Sequence, residues 1–473
     1  MDEKTALRTL ERLPVSRWHW NTFWILGFAL QFNGFLNSSG SAVMADLVGR
    51  GWSNNYWNAV FSSAMMAGFL IGSLVAGALG DRIGRKRTYE LCILTFGSFA
   101  LLAALAPNMP LLIICRGLMG IGMGGGIVLG YGSFTEFIPA RVRGKWSARI
   151  SLLGNLSPLI ALAVGAALIP ITSWRAMFVV GGLASLIMLV IVHKKLDESP
   201  RWMIETGNAK AGIELVERVA AQSGPLDDTW LAENRNEQDL GAETTLAMSQ
   251  RKAPVSEFFK GDLGRRTLVA ATTLIAMNLS LYTITVWIPT IFVNRGIDIR
   301  SSLVFSMTMM IGAPVGVWIS TLIMDKFPRR ILGSVLIVII AALGYVYSLQ
   351  TSVGFILVVG ALMIMVLYIY NSFASAVYAP ELWPTEYKMR GLGIANGVGR
   401  IVAILSPYFV AWLLTDYGVV AVFVVLGIQL AACALVLFLF GIETRSRSCE
   451  EMAIPAVKPL AVRLPLRGRG TRR

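Results

Sequence analysis

Of 473 residues, 55% are hydrophobic and only 15% charged, a balance that excludes a soluble globular chain. The formal charge of +14 raises nucleic acid as a partner. The basic residues, however, are dispersed over loops without a binding fold, so topology explains them and no nucleic-acid partner is expected.

A hydrocarbon layer about 30 Å thick takes roughly 20 apolar residues per helix. Segments of that kind run over 20–44, 57–80, 89–106, 111–133, 148–170, 175–195, 267–291, 303–324, 331–349, 354–378, 391–414 and 418–441, which predicts an all-α membrane protein with twelve transmembrane helices. Basic residues set its orientation. Of the 42 Lys and Arg, 36 fall on the side that carries both termini, and the opposite loops hold only Arg50, Arg175, Arg295 and Arg300. By the positive-inside rule both termini are cytoplasmic, in a multi-pass protein of the cell (inner) membrane.

The expected organisation is a cytoplasmic N-terminus over 1–19, a six-helix bundle over 20–195, a cytoplasmic linker over 196–265, a second six-helix bundle over 266–441 and a basic tail over 442–473. Within the linker, Glu205 to Gln222 alternates apolar and charged residues at helical spacing, an amphipathic helix on the cytoplasmic face. The linker is too short and too poor in aromatics to carry its own core. The tail suits contact with anionic lipid headgroups. A charged start followed by a long apolar segment predicts no cleavable signal peptide. Four cysteines in or beside helices and the tail make no disulfide framework, and His19 and His193 lie too far apart for a metal site.

The two halves repeat one another. Gly77, Asp81, Arg82, Gly84, Arg85 and Lys86 form a charged turn after the second span. An offset of 244 carries Asp81, Arg82, Arg85 and Lys86 onto Asp325, Lys326, Arg329 and Arg330. Glu136 maps onto Glu381 and Glu198 onto Glu443 at 245, and Arg143 onto Arg390 at 247. Asp81 can pair with Arg85 or with a neighbouring helix, and the basic residues can bridge to Glu136, a charged layer suited to gating alternating access. Topology alone also places Arg and Lys here. No phosphate-cradling G-x-x-x-x-G-K-[ST] occurs, and Gly120-Ile-Gly122-Met-Gly124 lies inside a span, where small residues serve close helix packing.

These motifs resemble those of the major facilitator superfamily: G-x-x-x-D-R-x-G-R-K at 77–86, R-G-x-x-G-x-G-x-G at 116–124, Glu198-Ser-Pro-Arg-Trp202, and Pro380-Glu-Leu-Trp-Pro384 followed by Arg390-Gly391. The resemblance spans all twelve helices and implies two pseudo-symmetric six-helix bundles that rock about a midplane site. Leu13–Trp20 and Tyr378–Thr385 resemble bacterial metabolite and aromatic-acid symporters related to synaptic-vesicle-glycoprotein and organic-ion carriers. The sugar-porter signature of the seventh helix is replaced by Met277-Asn-Leu-Ser-Leu-Tyr282.

Residues that differ between the halves are expected to carry the substrate. Arg400 follows Gly393 and Gly397 at helical spacing, and an intramembrane cation is a functional candidate by default. By resemblance it accompanies an anionic substrate; a structural role capping carbonyls stays open. Arg116 is the second such charge. In proton-coupled relatives it pairs with an Asp of the first helix, here replaced by Asn33 within Asn33-Gly-Phe-Leu36, which leaves symport and uniport or exchange both open, with Asp46, Glu136 and Glu381 as possible proton carriers. Asn33, Asn278, Tyr282, Trp287, Tyr370 and Asn371 lie on helices that line the cavity in this superfamily. The reading is a monomeric transporter, not an enzyme, that moves a small organic acid, an aromatic carboxylate included, without cofactor or metal. Its partners are that substrate, membrane lipids and, if coupled, protons. A sugar or polyol carrier and a non-transporting receptor-like relative are the alternatives.

Overall fold

The computed structural model describes residues 3–223, 255–324, 326–383 and 387–444. Asp325 and the basic tail beyond 444 lie outside the described residues, as does the side chain of Arg143.

A short helix α1 (Glu3–Arg12) precedes the first half, which contains α2 (Arg17–Gly49), α3 (Asn55–Ile83), α4 (Arg85–Ala104), α5 (Met109–Phe137), α6 (Ala140–Asn155), α7 (Ser157–Leu168) and α8 (Arg175–Lys195). Two helices follow, α9 (Pro200–Glu205) and α10 (Ala209–Ser223). The second half contains α11 (Gly261–Asn294), α12 (Ile299–Met310), α13 (Gly312–Ile323), α14 (Arg329–Leu349), α15 (Val353–Ser372), α16 (Lys388–Asp416) and α17 (Gly418–Phe440). Counting α6–α7 and α12–α13 as one span each gives the expected twelve. Ten of the described helices are long and apolar enough to cross a membrane; α2 and α4 are the more polar two.

Two spans are broken where proline forbids continuity. Pro158 cannot donate to the carbonyl four residues back, and the axis breaks at Leu156; Pro314 acts likewise just after the break at Ile311. Both broken spans sit at the seam, α7 packing on α12. The tenth span passes through a π-helical stretch at Phe373–Tyr378 before ending at Glu381.

The repeat is visible in hydrogen bonds. In the first half Arg85 reaches Glu136 at 3.3 Å, Ser199 Oγ donates to Glu136 at 2.5 Å, and Glu198 accepts the Lys86 N–H at 2.9 Å, capping α4. In the second, Arg329 reaches Glu381 at 3.1 Å, Thr444 donates to Glu381 at 2.6 Å, and Glu443 accepts the Arg329 N–H at 2.9 Å, capping α14. The cap in the first half needs Gly84: its φ is +105°, and a Cβ there would run into the Glu198 carboxylate.

Helix α1 is not among the expected elements, although Ala6, Leu10 and Leu13 recur at helical spacing, and the amphipathic helix starts a turn later than expected. Gly207, at φ +87°, ends α9 and resets the chain, so the helix starts at Ala209. Its apolar face does not lie against the membrane. Leu215, Val216 and Val219 pack with Ile204 against Ala6, Leu10 and Leu13, a second small core on the side of the termini. Trp18 ties it to α2, donating to Asp197 at 2.7 Å.

Candidate substrate site between the halves

Helices α2, α3 and α7 of the first half pack on α11, α16 and α12 of the second. The described hydrogen bonds that cross this seam run along its side away from the termini. Asn55 Nδ2 donates to Thr415 at 3.1 Å, Asn294 Nδ2 to Asn55 at 3.3 Å, Tyr56 to Asp416 at 3.5 Å, and, nearer the middle, Ser63 Oγ to the Ile404 carbonyl at 2.6 Å.

Below these contacts lies a cavity of about 110 Å³ shared by both halves. A cavity needs roughly 10–15 Å³ by this measure to hold a water, so several waters or one small molecule fit. Asn37, Ser38, Ser41, Ser62 and Arg116 face it from the first half, and Tyr282, Thr285 and Tyr368 from the second. Among the described lining residues there is no Asp, Glu or His.

Arg116 dominates the site. It is 2% exposed, with Cζ 4.9 Å from the Phe61 ring centre and 5.9 Å from that of Phe178. Its Nη1 donates to the Leu36 carbonyl at 2.9 Å and its Nη2 to that of Asn37 at 3.0 Å, while Nε has no partner among the described residues. No described carboxylate lies within ion-pair distance of it. Gly40 makes the room, since a Cβ there would overlap Nη2. A buried cation without a counterion is costly, and carbonyl dipoles meet only part of that cost.

Asn33 does not join Arg116, contrary to the pairing the resemblance implies. Its Nδ2 donates to the Met123 carbonyl at 2.9 Å, and its Oδ1 is buried without a described partner. Helices rise 1.5 Å per residue, so Met123 stands about 10 Å along α5 from Arg116, and the Leu36 and Asn37 carbonyls take the guanidinium first.

Of the other expected site residues, Tyr282 lines the cavity and Arg400 stands just behind it. Arg400 Nη1 reaches the Tyr282 hydroxyl at 3.3 Å, and its Cζ lies 4.4 Å from the centre of the Phe69 ring. Tyr370 does not face the cavity: it is buried and donates to the Thr273 carbonyl at 3.0 Å. Two residues earlier, Tyr368 does. A step of two turns a helix by about 200°, so neighbours in this Tyr-x-Tyr point apart. Asn278 is spent on the Leu274 carbonyl at 2.8 Å, Trp287 is buried, and Asn371 is half-buried on α15 outside the lining. The sequence reading missed Asn37 and Ser41, although Asn33, Asn37 and Ser41 follow at steps of four, one polar stripe along α2.

The expected proton carriers are all engaged elsewhere. Asp46 holds Arg50 at 2.8 Å and accepts the Trp174 N–H at 3.0 Å, and Glu136 and Glu381 serve the charged turns described above. Asp81 pairs with Arg85 at 2.5 Å with its side chain 71% exposed, and Trp202 Nε1 donates to the Asp81 carbonyl at 2.9 Å. Arg82 and Arg390 are exposed, and Gly77 is half-buried.

A cavity between two repeated six-helix bundles is a transporter's arrangement, and the sugar (and other) transporter family matches residues 20–454. The chain belongs to that family. It is a multi-pass membrane transport protein of the major facilitator superfamily, not an enzyme. It is 51% identical to the inner membrane metabolite transport protein YdjE of Escherichia coli over 449 residues, 94% of this chain and 97% of that one. It is 26% identical to the niacin transporter NiaP of Acinetobacter baylyi, covering 94% and 99%. An inward open structure of the xylose transporter XylE from E. coli superposes with a TM-score of 0.68 over 92% of this chain and 99% of that one, at 17% identity, a likeness of fold alone.

Proposed function

We propose that this transporter carries a small aromatic carboxylate by alternating access, with the carboxylate held at Arg116. The observation behind this is a guanidinium, buried and facing the cavity between the halves, with no described carboxylate to balance it. An anion there gains a charge-assisted hydrogen bond where water competes little. Ser38, Ser41, Ser62, Tyr282 and Tyr368 provide the hydroxyls and aromatic faces that a flat, polar-edged ligand uses. The relative named for niacin, itself an aromatic carboxylate, supports the same class.

Substrate moves down its own gradient or by exchange. The cavity's described lining has no Asp, Glu or His, and Asp46, Glu136 and Glu381 are held in ion pairs away from it. The side bearing the termini is cytoplasmic by its excess of Lys and Arg. The charged turns around Asp81 and Arg329 gate the movement.

The test is thermal stability of the purified protein with benzoate, nicotinate, nicotinamide and xylose. A ligand at 100 times its Kd stabilises the folded state by about 2.7 kcal/mol. The carboxylates should raise the melting temperature and the neutral compounds should not. A rise with xylose or nicotinamide but not with the acids refutes the assignment.

A further inference from the structure

Arg400 belongs to the second half, on α16, and Phe69 to the first, on α3, and the two side chains stack across the seam with Cζ 4.4 Å from the ring centre. Each lies near the middle of its helix, so this contact continues the seam inward from Ser63 and Ile404. The same guanidinium reaches the Tyr282 hydroxyl at 3.3 Å, and Tyr282 lines the cavity. Arg400 therefore stands one phenol oxygen away from the space where substrate binds. No described carboxylate lies within ion-pair distance of it.

We infer that Arg400 is a clip that fastens the halves together through Phe69 while the site is empty, and that a carboxylate arriving beside Tyr282 draws the guanidinium off the ring. This rests on the anion assignment above. The physical reason is a competition. A guanidinium on an aromatic face is held chiefly by the ring quadrupole, whereas a carboxylate held at Arg116 still offers it a full charge and a free oxygen. Arg400 cannot serve both at full strength, because leaning toward the cavity lifts it from Phe69. Substrate binding thereby weakens the contact between α3 and α16, and the loaded carrier separates there more readily than the empty one. The consequence for transport is a preference for exchange over net flux, since the empty carrier stays clipped.

The clip is read by the distance between spin labels at Trp57→Cys and Tyr417→Cys, exposed positions at the outer ends of α3 and α16. Cys433 and Cys449 are replaced by serine for this purpose. Phe69→Leu removes the ring and keeps apolar bulk; Phe69→Tyr keeps the ring. Without ligand, Phe69→Leu and Arg400→Gln should both raise the separated population relative to the joined one by about two- to thirtyfold, the span of a cation–π contact from exposed to desolvated settings. Phe69→Tyr should match the wild type. Benzoate should raise the separated population in the wild type and add nothing in Arg400→Gln. A ligand-free Phe69→Leu protein with the wild-type distance distribution overturns the clip. A Phe69→Leu shift without any benzoate response in the wild type overturns its link to the carboxylate, and the thermal measurement with benzoate then shows whether the anion assignment failed with it. Exchange and net flux of labelled benzoate in proteoliposomes give a second reading: trans-stimulation should disappear in Phe69→Leu and persist in Phe69→Tyr, and its persistence in Phe69→Leu overturns the proposal.

Discussion

Replacing Arg116 by Gln keeps an amide that can donate to the Leu36 or Asn37 carbonyl but removes the charge facing the cavity. A hydrogen bond to a charged group contributes about 1.5–3 kcal/mol. At 1.4 kcal/mol per tenfold, the variant should bind nicotinate about 10- to 150-fold more weakly. Nicotinamide differs only in carrying a neutral amide, so its weak binding should hardly change. Arg116→Lys retains the charge without the planar fork that stacks on Phe61 and holds two carbonyls, and it should fall between. Ligand-free stability should move little, because the hydrogen bond that Gln does not replace is offset by relief of a buried, uncompensated cation. Titration calorimetry with both ligands on all three proteins measures this. If Arg116→Gln still prefers nicotinate over nicotinamide by the wild-type ratio, the charge at 116 does not recognise the carboxylate, and the reasoning from its missing counterion is wrong.

Glu198→Gln and Glu443→Gln each weaken the cap on an equivalent helix, α4 and α14, and should each lower unfolding stability by about 1 kcal/mol; thermal denaturation of the two singles and the double should show similar, additive losses. Asp81→Asn removes the ion pair to Arg85 and touches no cavity residue, so initial uptake rates should fall while the calorimetric affinity for nicotinate stays at the wild-type value. Wild-type protein in proteoliposomes should add no accumulation of benzoate under an imposed pH gradient beyond that of protein-free liposomes, where the neutral acid partitions by itself; a protonophore-sensitive excess over that control would show that a proton carrier exists after all.

The membrane helices were legible because each is an apolar run of the length the bilayer demands, and the duplication because an offset of 244 or 245 carries Arg85, Glu136 and Glu198 onto Arg329, Glu381 and Glu443. The structure returns that register as one hydrogen-bond pattern made twice. The cavity was less legible, because a run apolar on all sides does not say which face looks inward. Tyr370 and Tyr368 are indistinguishable by composition, yet only the latter reaches the cavity. Arg116 and Arg400 were found because an intramembrane charge stands out in any sequence, but what each touches is set by Leu36, Phe69 and Tyr282, which lie far away in the chain. Helix α1 was missed although Ala6, Leu10 and Leu13 recur at helical spacing, because ten residues are too few to be stable alone and the partner that covers them, α10, lies about two hundred residues downstream.

The fit of Gly40 against the Arg116 guanidinium bears on how carriers of this shape exchange one cargo for another in evolution. Any side chain at 40 displaces the cation while the arginine is present. Loss of the arginine, in turn, leaves an unfilled space beside Gly40 that a larger residue at that position can occupy. A lineage passing from acids to neutral compounds thus meets the two changes in a fixed order, charge first and bulk second. The return path is easiest where position 40 is glycine, since with a Cβ there the guanidinium has to shift, and on the proposed assignment a descendant that has filled the gap is biased toward uncharged cargo by sterics as well as by selection.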